Sequence, residues 1–112
     1  MYCEEDDLAY RAWGVGAASR HLASIQARHY GERSSSQVKD LRLFYMLRSR
    51  TLFIRKHFPR WRAVVHDALA ATVGLVARLA IALSGRSTTS SRDVLRAYRL
   101  YWAYLVGRVG DR

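Results

Sequence analysis

Cysteine, proline and acidic residues are all scarce in this chain of 112 residues, which has one, one and nine of them respectively. A lone Cys3 can form no intrachain disulfide, and without a CxxC or Cys/His pairing it makes no structural zinc site. A single proline, Pro59, leaves long stretches free to run as helix. The opening Met1-Tyr2-Cys3-Glu4-Glu5-Asp6-Asp7 has neither a basic n-region nor an apolar h-region. No secretory signal is therefore expected, and a reducing, cytosolic compartment is the default expectation. Charged residues make up 25% of the chain, too many for a plain membrane span and too few for a disordered polyelectrolyte.

Half of the chain is hydrophobic, enough for one small core and no more than one domain's worth of structure. The net charge of +10 is unevenly spread. Residues 1–37 hold four arginines against five acids, whereas residues 38–112 hold fifteen lysines and arginines against four acids. That asymmetry divides the chain into a first segment, 1–37, and a basic second segment, 38–112, suited to an anionic surface. Nucleic acid and the phospholipid headgroup layer are the two such surfaces. No helix-turn-helix, zinc-finger or RNA-stacking signature supports nucleic acid.

The acids at the start, followed by Leu8, Ala9 and Arg11, predict a short helix near 4–13, closed by Gly14 and Gly16. Residues 17–28 show no clear period and are expected to be irregular or weak strand. Residues 31–37 are polar and loop-like. Residues 38–58 lack Gly and Pro and predict a helix whose apolar positions are scattered around the wheel. Pro59 ends it or opens the next helix, expected over 60–84. Residues 63–83 approach the length of a bilayer span, but Asp67 and Arg78 would each cost roughly 2.5–3.5 kcal/mol near a membrane centre. A buried or interfacial helix is the better expectation. After a Ser/Thr/Gly linker, a last helix is expected over 91–109, with Ser90 as N-cap and Asp93 completing a capping box.

Two stretches carry more than composition. Glu4-Glu5-Asp6-Asp7-Leu8-Ala9-Tyr10-Arg11 resembles the E-[DE]-x-D-L-x-x-R motif of family-2 glycosyltransferases, especially the bacterial rhamnosyltransferase-like branch. Gly16, His29 and Gly31 fall at the family's spacings after Arg11, and Ser34 to Ser36 follow. Downstream, Arg48-Ser49-Arg50-Thr51-Leu52-Phe53-Ile54-Arg55-Lys56-His57-Phe58-Pro59 resembles the R-[NS]-R-x-L-x-[IL]-R-K-H-F-P segment that follows the catalytic domain of these enzymes. The resemblance covers about residues 1–85. Glu5 stands where the family more often has Asp, Ala17 where it prefers an aromatic, and Ala23 where it prefers Pro.

The resemblance implies a sugar transfer, rhamnose being one candidate, from a nucleotide sugar to a lipid-linked or polysaccharide acceptor. By position, Glu5 takes the place of the acid that deprotonates the acceptor hydroxyl, with Glu4 beside it and Asp7 orienting the turn. His29 takes the place of the His that joins the family's D-x-D acids on a divalent metal, Mg or Mn. A base at the acceptor oxygen and a cation at the departing diphosphate are what this chemistry needs. The sequence begins within the motif, so the fold expected is mostly α. It would be the C-terminal helical piece of a GT-A-type α/β glycosyltransferase without its nucleotide-binding sheet. Such a piece is expected to be inactive and metal-free alone, with 1–37 as the remnant of the catalytic domain and 38–112 as a basic helical extension.

In the last helix Arg92, Arg96 and Arg99 form a narrow stripe, with Tyr98, Tyr101, Trp102 and Leu105 on the opposite, broader side. That aromatic side fits two roles: core filler, or an interfacial surface on the cytoplasmic leaflet with the arginines and Trp102 at anionic lipid. The second role makes the protein peripheral at the inner face of the membrane. The remaining side chains read as structural, Cys3 as a core residue and His21, His57 and His66 as surface or satisfied polar groups.

Overall fold

The computed structural model describes residues 3–17, 20, 24, 39–85, 87 and 89–109. They form five helices: α1 (Glu4–Gly14), α2 (Lys39–His57), α3 (Arg60–Ala71), α4 (Val73–Leu83) and α5 (Ser91–Val109). No strand occurs among the described residues, in line with the mostly α expectation. Most of the stretch expected to be irregular, together with His29 and the polar loop 31–37, lies outside the described residues.

Each helix ends where its sequence makes it end. Four acids occupy the first turn of α1, where carboxylates complement the exposed backbone N–H groups. At its far end the chain turns over at Gly16, whose φ of 80° is readily reached only without a side chain. Its N–H and that of Ala17 donate to the carbonyls of Trp13 and Ala12. Pro59 separates α2 from α3 with extended backbone, and its carbonyl accepts the first helical bonds from Arg62 and Ala63. At the start of α5 the Ser90 hydroxyl donates to Asp93 Oδ2 at 2.8 Å and accepts from the Asp93 N–H at 3.2 Å. The Ser90 N–H also reaches Asp93 Oδ2, so the expected capping box is present.

The helix expected over 60–84 is bent rather than continuous. Thr72 divides it into α3 and α4 with φ −110° and ψ −75°. Its hydroxyl donates to the Ala68 carbonyl at 2.7 Å, and its own N–H reaches the same oxygen at 3.1 Å. A side-chain donor competing for a ladder carbonyl is a known cause of helix bending.

Packing centres on α2 against α5. Leu43, Leu47 and Thr51, four residues apart, form one stripe of α2 and are buried against Val94, Ala97, Tyr98 and Tyr101 of α5. α3 closes this core through Ala63 and Asp67. In α4, Leu75, Leu79 and Ala82 lean on it, each half-buried. Gly74 is required by a close approach: a Cβ there would lie 3.0 Å from the buried Tyr98 hydroxyl.

The structure bears on two alternatives that the sequence left open. The aromatic side of α5 faces the protein, with Tyr98 and Tyr101 at 2% and 0% exposure, so these two rings form core rather than a lipid-facing surface. Conversely, the apolar segment 63–83 is not buried. Only Ala63 and Asp67 of α3, and no residue of α4, reach full burial. α2 and the inner sides of α3 and α4 bury the aromatic face of α5, which leaves the outer side of α3–α4 uncovered.

Candidate functional site

The two stretches that resemble the glycosyltransferase motifs meet in space. α1 lies against the C-terminal half of α2, and the contact is organised by Asp7. Lys56 Nζ donates to both of its carboxylate oxygens at 2.7 and 2.9 Å. His57 Nε2 stands 2.6 Å from Oδ1, and Arg11 Nε stands 3.1 Å from Oδ2. Hydrogen bonds from Lys56 and His57 lower the Asp7 pKa from 3.8 to about 2. An ionised carboxylate only accepts, so His57 carries its proton on Nε2. The neighbouring ring of Tyr10 lies 4.5 Å from His57 and 5.9 Å from Phe53 and Phe58. Thus α1 is held by one ion cluster and one aromatic cluster.

Helical spacing then sorts the acids. Asp7 and Glu4 face α2, whereas Glu5, about 160° around from Asp7, is exposed to solvent. The clamped Asp7 is a structural anchor that holds α1 against α2. Between the helices runs an open groove of about 360 Å³ lined by Cys3, Glu4, Asp7, Arg11, Leu52 and Lys56, with Ser49 and Phe53 completing it. Burial pushes the Cys3 thiol upward, and a hydrogen bond to Asp6 adds to the shift. That makes it a protonated lining group rather than a nucleophile.

His29, the expected metal ligand, lies outside the described residues. Among the described residues no group of three His, Cys, Asp or Glu side chains is placed to hold a metal ion. The donor set for the metal implied by the resemblance is therefore not met by these residues.

A second polar cluster escaped the sequence reading. Asp67 of α3, 7% exposed, receives Arg55 Nη2 at 2.6 Å and Arg55 Nε at 3.1 Å on one oxygen. Its other oxygen accepts the Thr51 hydroxyl at 2.9 Å and lies 3.2 Å from His66 Nδ1. With its proton directed at Asp67, Thr51 must accept from the Tyr101 hydroxyl 2.8 Å away. Burial raises the Tyr101 pKa, and the Thr51 hydrogen bond opposes the rise. This chain of bonds ties α2, α3 and α5 together at the centre of the fold. The signal was present as a lone acid in an apolar run facing an arginine-rich helix. Its partners, 12 and 16 residues away, could not be chosen from the sequence.

On α5, Arg92, Arg96 and Arg99 are exposed on the side away from the core. Trp102 is 49% exposed, and its indole N–H donates to the Ala71 carbonyl at 3.3 Å. It stands at the seam between α3 and α5, between the buried face of α5 and the arginine stripe. Comparison with protein families, with curated proteins and with solved structures returns no match to this chain.

Proposed function

We propose that the chain is the C-terminal part of a family-2 glycosyltransferase. It would transfer a sugar, with rhamnose one candidate, from a nucleotide sugar to a lipid-linked or polysaccharide acceptor at the inner face of the membrane. The observation that supports this reading is the Asp7 cluster. The acidic motif on α1 and the R-K-H-F-P segment ending α2 pack together through Lys56 and His57, although they lie 49 and 50 residues from Asp7. Two separately resembling motifs thus belong to one folded unit. Glu5 is left exposed on the side of α1 turned away from the groove, where an acceptor hydroxyl can approach it from solvent.

In this reading Glu5 is the general base, Glu4 is its neighbour on the groove side, and Asp7 fixes the helix that carries both. The donor site belongs to a nucleotide-binding sheet supplied outside the described helices, so the chain alone is inactive. The test joins the chain to the donor-binding half of a family-2 enzyme and measures transfer from a nucleotide sugar. Transfer should appear only in the joined protein, and Glu5→Gln should lower kcat far more than it changes KM for the donor. Equal turnover for Glu5→Gln and its parent removes Glu5 from the mechanism.

A further inference from the structure

The two charges that argued against a membrane location point into the protein. Asp67 is bound by Arg55 and Thr51, and Arg78 is half-buried close to the Tyr98 hydroxyl, where its charge opposes the rise in the Tyr98 pKa caused by burial. The opposite side of the bent helix is therefore free of charge along most of its length. Trp61, Val65, Leu69, Val73, Val76 and Leu83 stand on it, each 49–77% exposed. Ala68, Thr72 and Ala80 fill the gaps between them and are exposed as well. Within Arg60–Leu83, taken through the bend, an 18-residue window reaches a mean hydropathy of 1.6 and is nearly all unburied. Solvated apolar surface of this extent marks a docking face.

Charge decides what docks there. Arg60 and Arg62 stand exposed at the start of α3, and the Arg92, Arg96 and Arg99 stripe of α5 flanks the face beyond Trp102. A second copy would bring an equally basic surface against this one, with a chain charge of +10 on each partner. Anionic lipid meets both needs, taking the apolar side chains at acyl depth and the guanidinium groups at headgroup depth. Trp61, at the arginine-bearing end, has the amphipathic shape that settles at that boundary.

We infer that the outer face of α3–α4 lies in the plane of an anionic membrane surface, with its apolar side chains inserted and the arginines of α3 and α5 at its edges. This places the insertion on α3–α4 and leaves α5 the flanking electrostatic contact. It rests on the membrane part of the reading above and on none of its chemistry.

The test uses the full chain and vesicles of phosphatidylcholine with or without 30 mole per cent phosphatidylglycerol, about a third anionic as for a basic-patch assay. The parent should co-sediment with the anionic vesicles and retain part of that binding at high salt, because inserted side chains are not screened. Leu69→Glu with Val76→Glu should weaken binding about a hundredfold or more while leaving the circular dichroism melt unchanged, since both side chains are exposed. With Trp13 and Trp102 replaced by Phe, Trp61 emission should shift to the blue on adding anionic vesicles. Undiminished binding of the double Glu variant overturns the inference, even if Arg92/Arg96/Arg99→Gln abolishes binding. A parent that ignores vesicles but dimerises, with the Glu variant monomeric, also overturns it by giving the face to a second copy. Either failure leaves the glycosyl-transfer experiment standing or falling on its own.

Discussion

Asp7 Oδ1 and His57 Nε2 meet at 2.6 Å across 50 residues of sequence, and this contact decides where the acidic helix sits. Together with the two hydrogen bonds from Lys56 it fixes the rotation of α1 about its own axis, which the aromatic contacts through Tyr10 alone would leave loose. The orientation of Glu5 is therefore set indirectly, by a residue at the far end of α2.

The first prediction follows from that clamp. Asp7→Asn, or His57→Ala, should loosen α1 and expose Cys3, so that alkylation of its thiol at pH 8 becomes several-fold faster than in the parent. The rest of the fold should keep its melting transition. The clamp should also depend on acid. The pKa of Asp7 is lowered from 3.8 to about 2, so its contribution is complete above pH 3.8 and disappears as pH falls through about 2. Alkylation rates after short acid pulses would read that window.

The second prediction concerns Asp67. Asp67→Asn keeps the Thr51 hydrogen bond but removes the charge that Arg55 approaches, and should lower stability by about 1–3 kcal/mol. Thr51→Val should cost about 1–3 kcal/mol, because it leaves both Asp67 and the Tyr101 hydroxyl short of a partner. Denaturant midpoints of the single and double variants should be non-additive; additive losses would mean the bonds act independently.

Why this cluster was illegible while the helices were readable is a matter of range. Helix ends depend on neighbours: Gly16 after α1, Pro59 between α2 and α3, and the Ser90–Asp93 box all acted within three or four residues. Asp67 looked like a liability in an apolar run, because its compensation comes from a separate helix. The same holds for α5. Its arginine stripe and aromatic side were both visible, but whether Tyr98 and Tyr101 faced protein or lipid depended on Leu43 and Leu47, about fifty residues earlier. The break at Thr72 was missed because threonine is tolerated in helices, and its back-bonding to Ala68 is a choice among rotamers.

A third prediction uses a pair that sequence gives no reason to connect. Ala in place of Gly74 would normally gain about 1 kcal/mol of helix propensity. Here the new Cβ meets the Tyr98 hydroxyl at 3.0 Å, and Tyr98 is too buried to move aside. Gly74→Ala should therefore show no gain, or a loss, in melting temperature. Tyr98→Phe removes the obstructing oxygen, which is buried without a hydrogen bond of its own. The Gly74→Ala/Tyr98→Phe pair should be more stable than either single variant, and failure of that rescue would refute the packing account.

A fourth prediction isolates the cap of α5. Ser90→Ala removes the acceptor for the Asp93 N–H and the donor to Asp93 Oδ2, and should cost about 1 kcal/mol. Ser90→Gly should cost only a few tenths, because the backbone reaches the cap conformation without the side chain. Equal losses would place the effect elsewhere than in the hydroxyl.

The bend at Thr72 has a consequence for how far this segment can reach. A straight helix over the 24 residues of Arg60–Leu83 would measure about 36 Å, more than the roughly 30 Å of a bilayer's hydrocarbon layer. Broken at Thr72, it becomes rods of 12 and 11 residues, each about 17 Å long and little more than one leaflet deep. One hydroxyl and one carbonyl thus set a joint in the middle of a segment that is, by length and composition alone, long and apolar enough to cross a membrane.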